Sequence, residues 1–254
     1  MDNNHINSIN ISRNKIEKVG ECEAIILAGG LGTRLRSAVP DLPKCMAPVN
    51  GKPFIGYVID SFIKQGVSKF ILSLGYKSEA ITDYIEVNYP DLQVKYAIEE
   101  EPLGTGGAIK LSCSMASEEN VFVTNGDTLF DVNLSEILEK HGDSTADCTL
   151  SLKPMTEFDR YGVVELKADK SISSFKEKQY YKSGLINGGV YVLNVKSFLS
   201  ESLPQKFSFE KEYMEALFLT RKMIGIEQDG YFIDIGIPQD YLKAQHDFAN
   251  NREV

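Results

Sequence analysis

The stretch Ala24-Ile25-Ile26-Leu27-Ala28-Gly29-Gly30-Leu31-Gly32-Thr33-Arg34-Leu35 carries the first decision about fold. An apolar run over residues 24–28 passes directly into paired glycines. So short a run, closed by glycine, reads as a buried strand. In an open α/β sheet, ligands bind beyond the carboxyl ends of the strands. Glycines there let backbone N–H groups come close to a phosphate. Two familiar phosphate loops do not fit. The dinucleotide fingerprint needs a third glycine where Leu35 stands, and no Gly-Lys-Ser/Thr closes a P-loop. What remains is a glycine loop with its own cation, Arg34, followed by Arg36 and Lys44. Taken alone, the loop reads equally as a tight turn with ordinary surface arginines.

Outward from this loop the chain alternates. Residues 53–66 read as a helix: proline opens it, Phe54, Ile55, Val58, Ile59, Phe62 and Ile63 form a stripe, and glycine closes it. Strands are expected at 69–74, 92–98 and 121–125, with helices at 78–89, capped by Ser78, and at 106–115. That alternation predicts an α/β fold with a doubly wound, mostly parallel sheet. After about residue 145 the pattern turns β-rich, with strands at 148–153, 162–167, 172–175 and 190–194. A helix over 209–219, strands at 223–227 and 231–235, and a last helix from Pro238 to about Phe248 complete the chain. The expected organisation is a polar extension (1–22) and one domain (23–254). Its α/β half covers about 23–145, and its β-rich half about 146–254. The extension carries five asparagines in its first fourteen positions. It reads either as a loose arm or as a segment packed through Ile6, Ile9, Ile11 and Ile16.

Composition narrows the function classes. The chain has 254 residues, 43% apolar and 25% charged, which suits a globular core. A net charge of −9 argues against non-specific nucleic-acid binding, so cations for a phosphate ligand must be local. Arg34, Arg36 and Lys44 meet that requirement. Cys22, Cys45, Cys113 and Cys148 show no CxxC spacing, and His5, His141 and His246 are far apart, so a zinc site is not expected. No apolar run approaches the roughly 20 residues that span a bilayer. A cytoplasmic protein with reduced thiols is the expectation, and homo-oligomerisation is left open.

Several further residues sit where chemistry could use them. Asp127 follows an apolar run ending at Asn125-Gly126, and Asp234 follows Tyr231-Phe232-Ile233. Two carboxylates at separate strand ends can share one Mg²⁺, a hard cation that prefers oxygen. The plainer role for each is a helix cap. Glu99, Glu100 and Glu101 precede Pro102-Leu103-Gly104-Thr105-Gly106-Gly107-Ala108. A carboxylate there could accept from N–H groups of a ligand, although three adjacent acids more often form a solvated turn. Asn187-Gly188-Gly189 is either a bare backbone for a ligand or a β-bulge. Glu177-Lys178 by itself is a solvated pair, and Arg160-Tyr161-Gly162 a hairpin turn.

Together these stretches resemble the sugar-phosphate nucleotidyltransferase family. The similarity rests on Gly29–Leu35, Pro43-Lys44, Pro48-Val49, Glu100–Ala108, Asn125-Gly126-Asp127, Arg160–Val164, Phe175–Lys178, Asn187–Tyr191 and Asp234-Ile235-Gly236, in order along the chain. Cys45 and Ser37 stand where many members have proline. The wording is most similar to the branch acting on D-glycero-α-D-manno-heptose 1-phosphate with GTP. The resemblance implies a Rossmann-like nucleotidyltransferase fold and Mg²⁺ on Asp127 and Asp234. It implies Arg34, Lys44 and Asp127 as catalytic groups. Nucleotide contacts would come from Leu27, Ala28, Gly29, Gly30, Gly32, Thr33, Glu101, Leu103, Gly104, Thr105, Asn125 and Gly126. Sugar-phosphate contacts would come from Tyr161, Gly162, Glu177, Lys178, Asn187 and Gly188. A uridylyl- or mannose-1-phosphate-type enzyme is the alternative within the family. Outside it stand a glycosyltransferase using a sugar nucleotide, against which the lack of Asp-x-Asp counts, and a non-catalytic relative.

Overall fold

A computed structural model describes residues 18–30, 35 and 42–249. Strand β1 (Glu23–Leu27) lies at the centre of a nine-stranded sheet. It pairs in parallel with β4 (Lys69–Leu74) on one edge and β6 (Asn120–Asn125) on the other. Beyond β4, strand β5 (Gln93–Ile98) is also parallel. Beyond β6 the direction reverses. The 14-residue β11 (Tyr181–Asn194) runs antiparallel to β6 through Val190–Asn194. Its other edge pairs antiparallel with β8 (Cys148–Phe158), which carries β12 (Met223–Glu227) in parallel. Its first half also meets β9 (Val163–Leu166), and β10 (Ile172–Lys176) lies beyond that. The β-rich part shares this sheet. It continues the parallel sheet across β11.

Alternation along the strands sends side chains to opposite faces, and both faces are covered. Ala24, Ile26, Phe70, Leu72, Phe122, Val190 and Val192 join one core. Helices α1 (Phe54–Ile63), α2 (Ser78–Asn88), α4 (Leu134–Ser144) and α6 (Pro238–Ala249) contribute to that side. Ile25, Ile71, Val121, Val123, Tyr191 and Leu193 join the other core with α3 (Gly104–Cys113) and α5 (Val195–Leu199). The sheet is thus doubly wound, as its apolar pattern predicts. Two small pairs flank it: β2 (Pro48–Val49) with β3 (Lys52–Pro53), and β7 (Thr128–Phe130) with β13 (Phe232–Asp234).

Three local expectations change. Ser78 begins α2 without capping it; Lys77 takes the cap position in a left-handed backbone, φ 54°. The expected helix over 209–219 winds as a wide π-helical turn over Phe209–Glu215. Helix α4 was not foreseen. Asn133 caps it by accepting from the Glu136 amide at 3.0 Å. The end of the polar extension is docked: Val19–Glu21 forms a 3₁₀ turn with Val19 buried. Among the described residues, no helix is long and apolar enough to cross a membrane.

Candidate active site at the strand ends

Parallel strands bring their carboxyl ends to one edge. Leu27 lies opposite Asn125 and Ser73. The Gly126 amide donates to the Leu27 carbonyl at 2.8 Å, and the Ala28 amide to that of Ser73 at 2.8 Å. Gly29 is pressed against the next crossover; a Cβ there would lie 2.7 Å from Glu99 Oε1. Gly29 is therefore held against its described neighbours. Among the described residues, a Cβ at Gly30 would meet nothing within 4 Å. Gly32, Thr33 and Arg34, like Arg36, lie outside the described residues. Leu35 is buried and anchors the far side of the loop.

Beside this edge, three predicted residues meet. Lys44 begins a 3₁₀ turn, Lys44–Met46, whose Cys45 is buried beneath Gly126. The Lys44 ammonium contacts Asp127 Oδ2 and stands 3.3 Å from Asp234 Oδ1. The carboxylates are side by side because β7 and β13 pair Thr128 with Asp234, and because the Ile235 amide donates to the Asp127 carbonyl at 3.1 Å. Asp234 Oδ1 also accepts from the Gly236 amide at 2.7 Å. Two hard oxygen donors thus converge on a positive charge. That donor set fits a divalent ion that takes its other ligands from water and phosphate. Among the described residues, no group of three or more His, Cys, Asp or Glu side chains could hold a metal by itself. Burial, and then the Asp127 charge, push the Cys45 thiol up to about 12. It is no nucleophile.

The acidic triplet separates into different roles. Glu99 Oε2 accepts from the Leu103 amide at 2.8 Å, so this carboxylate shapes the loop between β5 and α3. Glu101 is exposed and makes no side-chain hydrogen bond among the described residues. Protein packs closely against the glycines that follow. Gly104 has φ +73°, and a Cβ on it would lie 2.6 Å from the Phe207 carbonyl. A Cβ on Gly106 would enter the Phe207 ring at 2.1 Å. The Thr105 hydroxyl donates to Glu210 Oε2 at 2.8 Å and accepts from the Phe209 amide at 2.9 Å.

On the sugar side, Tyr161 packs edge-on against Phe232, with ring centroids 5.8 Å apart. A Cβ on Gly162 would lie 2.4 Å from the Lys176 carbonyl. Glu177 receives Lys211 Nζ at 3.0 Å. Lys178 is exposed, without a hydrogen bond or ion pair among the described residues. No such contact joins Glu177 or Lys178 to Lys44, Asp127 or Asp234. Asn187 serves its own strand: its oxygen accepts from the Gly189 amide at 3.0 Å, and its nitrogen donates to Tyr191 Oη at 2.9 Å. The register with β8 shifts between Asn187 and Tyr191, a bulge. Gly188 is bare because the Phe130 ring lies 2.3 Å from where its Cβ would be. Arg160 bonds Asp240 at 2.5 Å and so ties the 160–162 turn to the start of α6.

The family model for nucleotidyl transferases matches residues 23–251, nearly all of the chain beyond its polar extension. This chain belongs to the nucleotidyl transferase family. Similar relatives of this nucleotidyl transferase include D-glycero-alpha-D-manno-heptose 1-phosphate guanylyltransferases from two bacteria. The one from Aneurinibacillus thermoaerophilus is 53% identical, covering 90% of this chain and 99% of the relative. The one from Campylobacter jejuni is 45% identical, covering 90% and 100%. The crystal structure of HddC from Yersinia pseudotuberculosis complexed with GMP-PN superposes with a TM-score of 0.80. It is 38% identical and covers 89% of this nucleotidyl transferase and 99% of that chain.

Proposed function

We propose that this nucleotidyl transferase moves a guanylyl group from GTP to D-glycero-α-D-manno-heptose 1-phosphate, giving the GDP-sugar and pyrophosphate. The observation that carries the reading is Lys44 between Asp127 and Asp234 at the open edge of the sheet. Its match to guanylyltransferases over their whole length supports the substrates.

An oxygen of the sugar 1-phosphate attacks the α-phosphorus of GTP, and the bond to the β-phosphate oxygen breaks in line. The nucleophile is already ionised near neutral pH, so no general base is needed. The protein's task is to bring two anions together and spread their charge. Arg34 and Lys44 hold the triphosphate and then the leaving pyrophosphate. The Gly29-Gly30 backbone lies along the phosphates. Asp127 and Asp234 are the residues that would hold Mg²⁺, which supplies positive charge where the α-phosphate gains negative charge. Lys178 orients the attacking phosphate, and Glu177 faces the sugar hydroxyls. Residues 23–254 act as one catalytic domain, a reading supported by the continuity of the sheet through β11. We place the enzyme in the cytoplasm, in keeping with the buried thiols of Cys45, Cys113 and Cys148.

Pyrophosphate release over a grid of four nucleoside triphosphates and several sugar 1-phosphates, with Mg²⁺, tests this. The signal is expected with GTP and the heptose 1-phosphate. A blank grid would overturn the activity, and a signal with UTP or TTP alone would overturn the guanylyl assignment.

A further inference from the structure

The segment 203–212 has no part in the reaction as proposed, yet it is laced to both sides of the site. On the nucleotide side, the Gly106 amide donates to the Phe207 carbonyl at 3.0 Å, and the Phe207 amide to that of Leu103 at 3.0 Å. Lys110 reaches the Leu203 carbonyl at 3.0 Å. One carboxylate gathers the remainder: Glu210 Oε2 accepts from Thr105 Oγ1 and from Ser208 Oγ, each at 2.8 Å. Glu210 has no ion pair among the described residues. On the sugar side, its neighbour Phe209 packs on Tyr191, with ring centroids 5.3 Å apart. The Tyr191 hydroxyl in turn holds the Asn187 side chain at the β11 bulge. Burial first, and then the Glu210 charge, push that hydroxyl far above its usual value, so it stays protonated. Lys211 adds a second link to the sugar side through Glu177.

We infer that Glu210 is a positioning residue that fixes the first turn of α3 against the Asn187 bulge of β11, so that the nucleotide side of the site sets the geometry of the sugar-phosphate side. The polar chain is Thr105, Glu210 and, across the Phe209–Tyr191 contact, Asn187. The π-helical winding that begins at Phe209 places Glu210 and Lys211 in these two directions, a use for which such wide turns are known. The inference rests on the proposed guanylyl transfer, because it is the sugar phosphate that Asn187, Glu177 and Lys178 would meet.

The test separates the two substrates. Full-length enzyme is assayed for pyrophosphate release with GTP and D-glycero-α-D-manno-heptose 1-phosphate, each varied in turn. Glu210→Ala should raise KM for the sugar phosphate about three- to tenfold, with KM for GTP within twofold. Glu210→Gln keeps an acceptor for both hydroxyls and should recover most of the loss. Thr105→Val should shift the same KM, although Thr105 lies on the nucleotide side. Added to Glu210→Ala, it should have little further effect, because the two residues share one interaction. If Glu210→Ala does not fold, Thr105→Val and Tyr191→Phe, which alter single hydroxyls, carry the same expectation. A rise confined to KM for GTP would overturn the inference. So would unchanged KM values with only a lower melting temperature. Failure of the guanylyl reading itself would show earlier, as absence of turnover in the unmodified enzyme.

Discussion

Gly236 places its amide on Asp234 Oδ1, and a Cβ on it would lie 2.8 Å from that oxygen and 2.9 Å from Lys44 Nζ. Gly236→Ala should therefore displace two charged groups without touching the core. Turnover should fall about ten- to a hundredfold, the scale for a displacement near 1 Å at reacting groups, with the melting temperature nearly unchanged. A normal rate would mean that the pair tolerates being moved. Asp127→Asn and Arg34→Ala should each cut turnover by at least about a hundredfold, as when one key electrostatic group is lost. Near-normal rates in either folded variant would overturn the assignment. Where these two carboxylates lie was legible in the sequence, because Asp127 follows and Asp234 ends an apolar run that forms a strand. The partners of Thr105 and Asn187 were not. Glu210 is 105 positions from Thr105, and Asn187 turns back on its own strand through Gly189 and Tyr191. Nor could three consecutive acids reveal that Glu99 is the one tied down, since the Leu103 amide selects it only once the loop is formed.

Helix α4 shows what can be missed at the scale of an element. Its signals are ordinary ones: Asn133 as cap, Glu136 three residues on, and a buried face of Leu134, Ile137, Leu138 and His141. His141 fixes the helix to the sheet, with Nδ1 2.9 Å from Thr149 Oγ1 and Nε2 3.1 Å from Asn120 Oδ1. Burial lowers its pKa from 6.5 to about 4. Between those values the unfolded chain binds a proton that the folded chain does not. Stability is then full above about pH 6.5 and declines as pH falls toward 4, by at most about 1.4 kcal/mol per pH unit. Urea midpoints compared at pH 7.5 and pH 5 check this, and His141→Gln should flatten the difference. An equal slope in the variant would assign it to other groups. Strand β11 was seen only over 190–194, because Lys182, Ser183 and the Asn187-Gly188-Gly189 bulge break the apolar period of its first half. At the start of α3, Gly104→Ala meets both a left-handed φ of +73° and the Phe207 carbonyl. A clear loss of melting temperature is expected, on the order of the 1–3 kcal/mol that such a backbone position costs.

Over the whole molecule, one strand decides how the halves behave. β11 pairs with β6 of the parallel half and with β8 of the antiparallel half. Neither can leave the sheet without exposing an edge of the other, so calorimetry should give a single unfolding peak that coincides with loss of helical circular dichroism. Two separated peaks would mean that the halves fold apart. Glu23 shows the same economy at the amino end of β1. Burial pushes its carboxyl up, but Lys95 and the Ser117 and Glu118 amides outweigh that and hold it below the ordinary value. The alternation of apolar residues announced a two-faced sheet, whereas the reversal at β11 depends on a pairing between distant segments that no local pattern encodes. One last feature gives access to the motions of this framework. Cys45 lies under Gly126, next to Lys44, with its thiol held near 12. At neutral pH its reactive form is on the order of one part in a hundred thousand. An alkylating reagent can then label it only when the Lys44 turn lifts away. Labelling kinetics at this one sulfur would time the breathing of this edge of the sheet, and bound GTP should slow the clock.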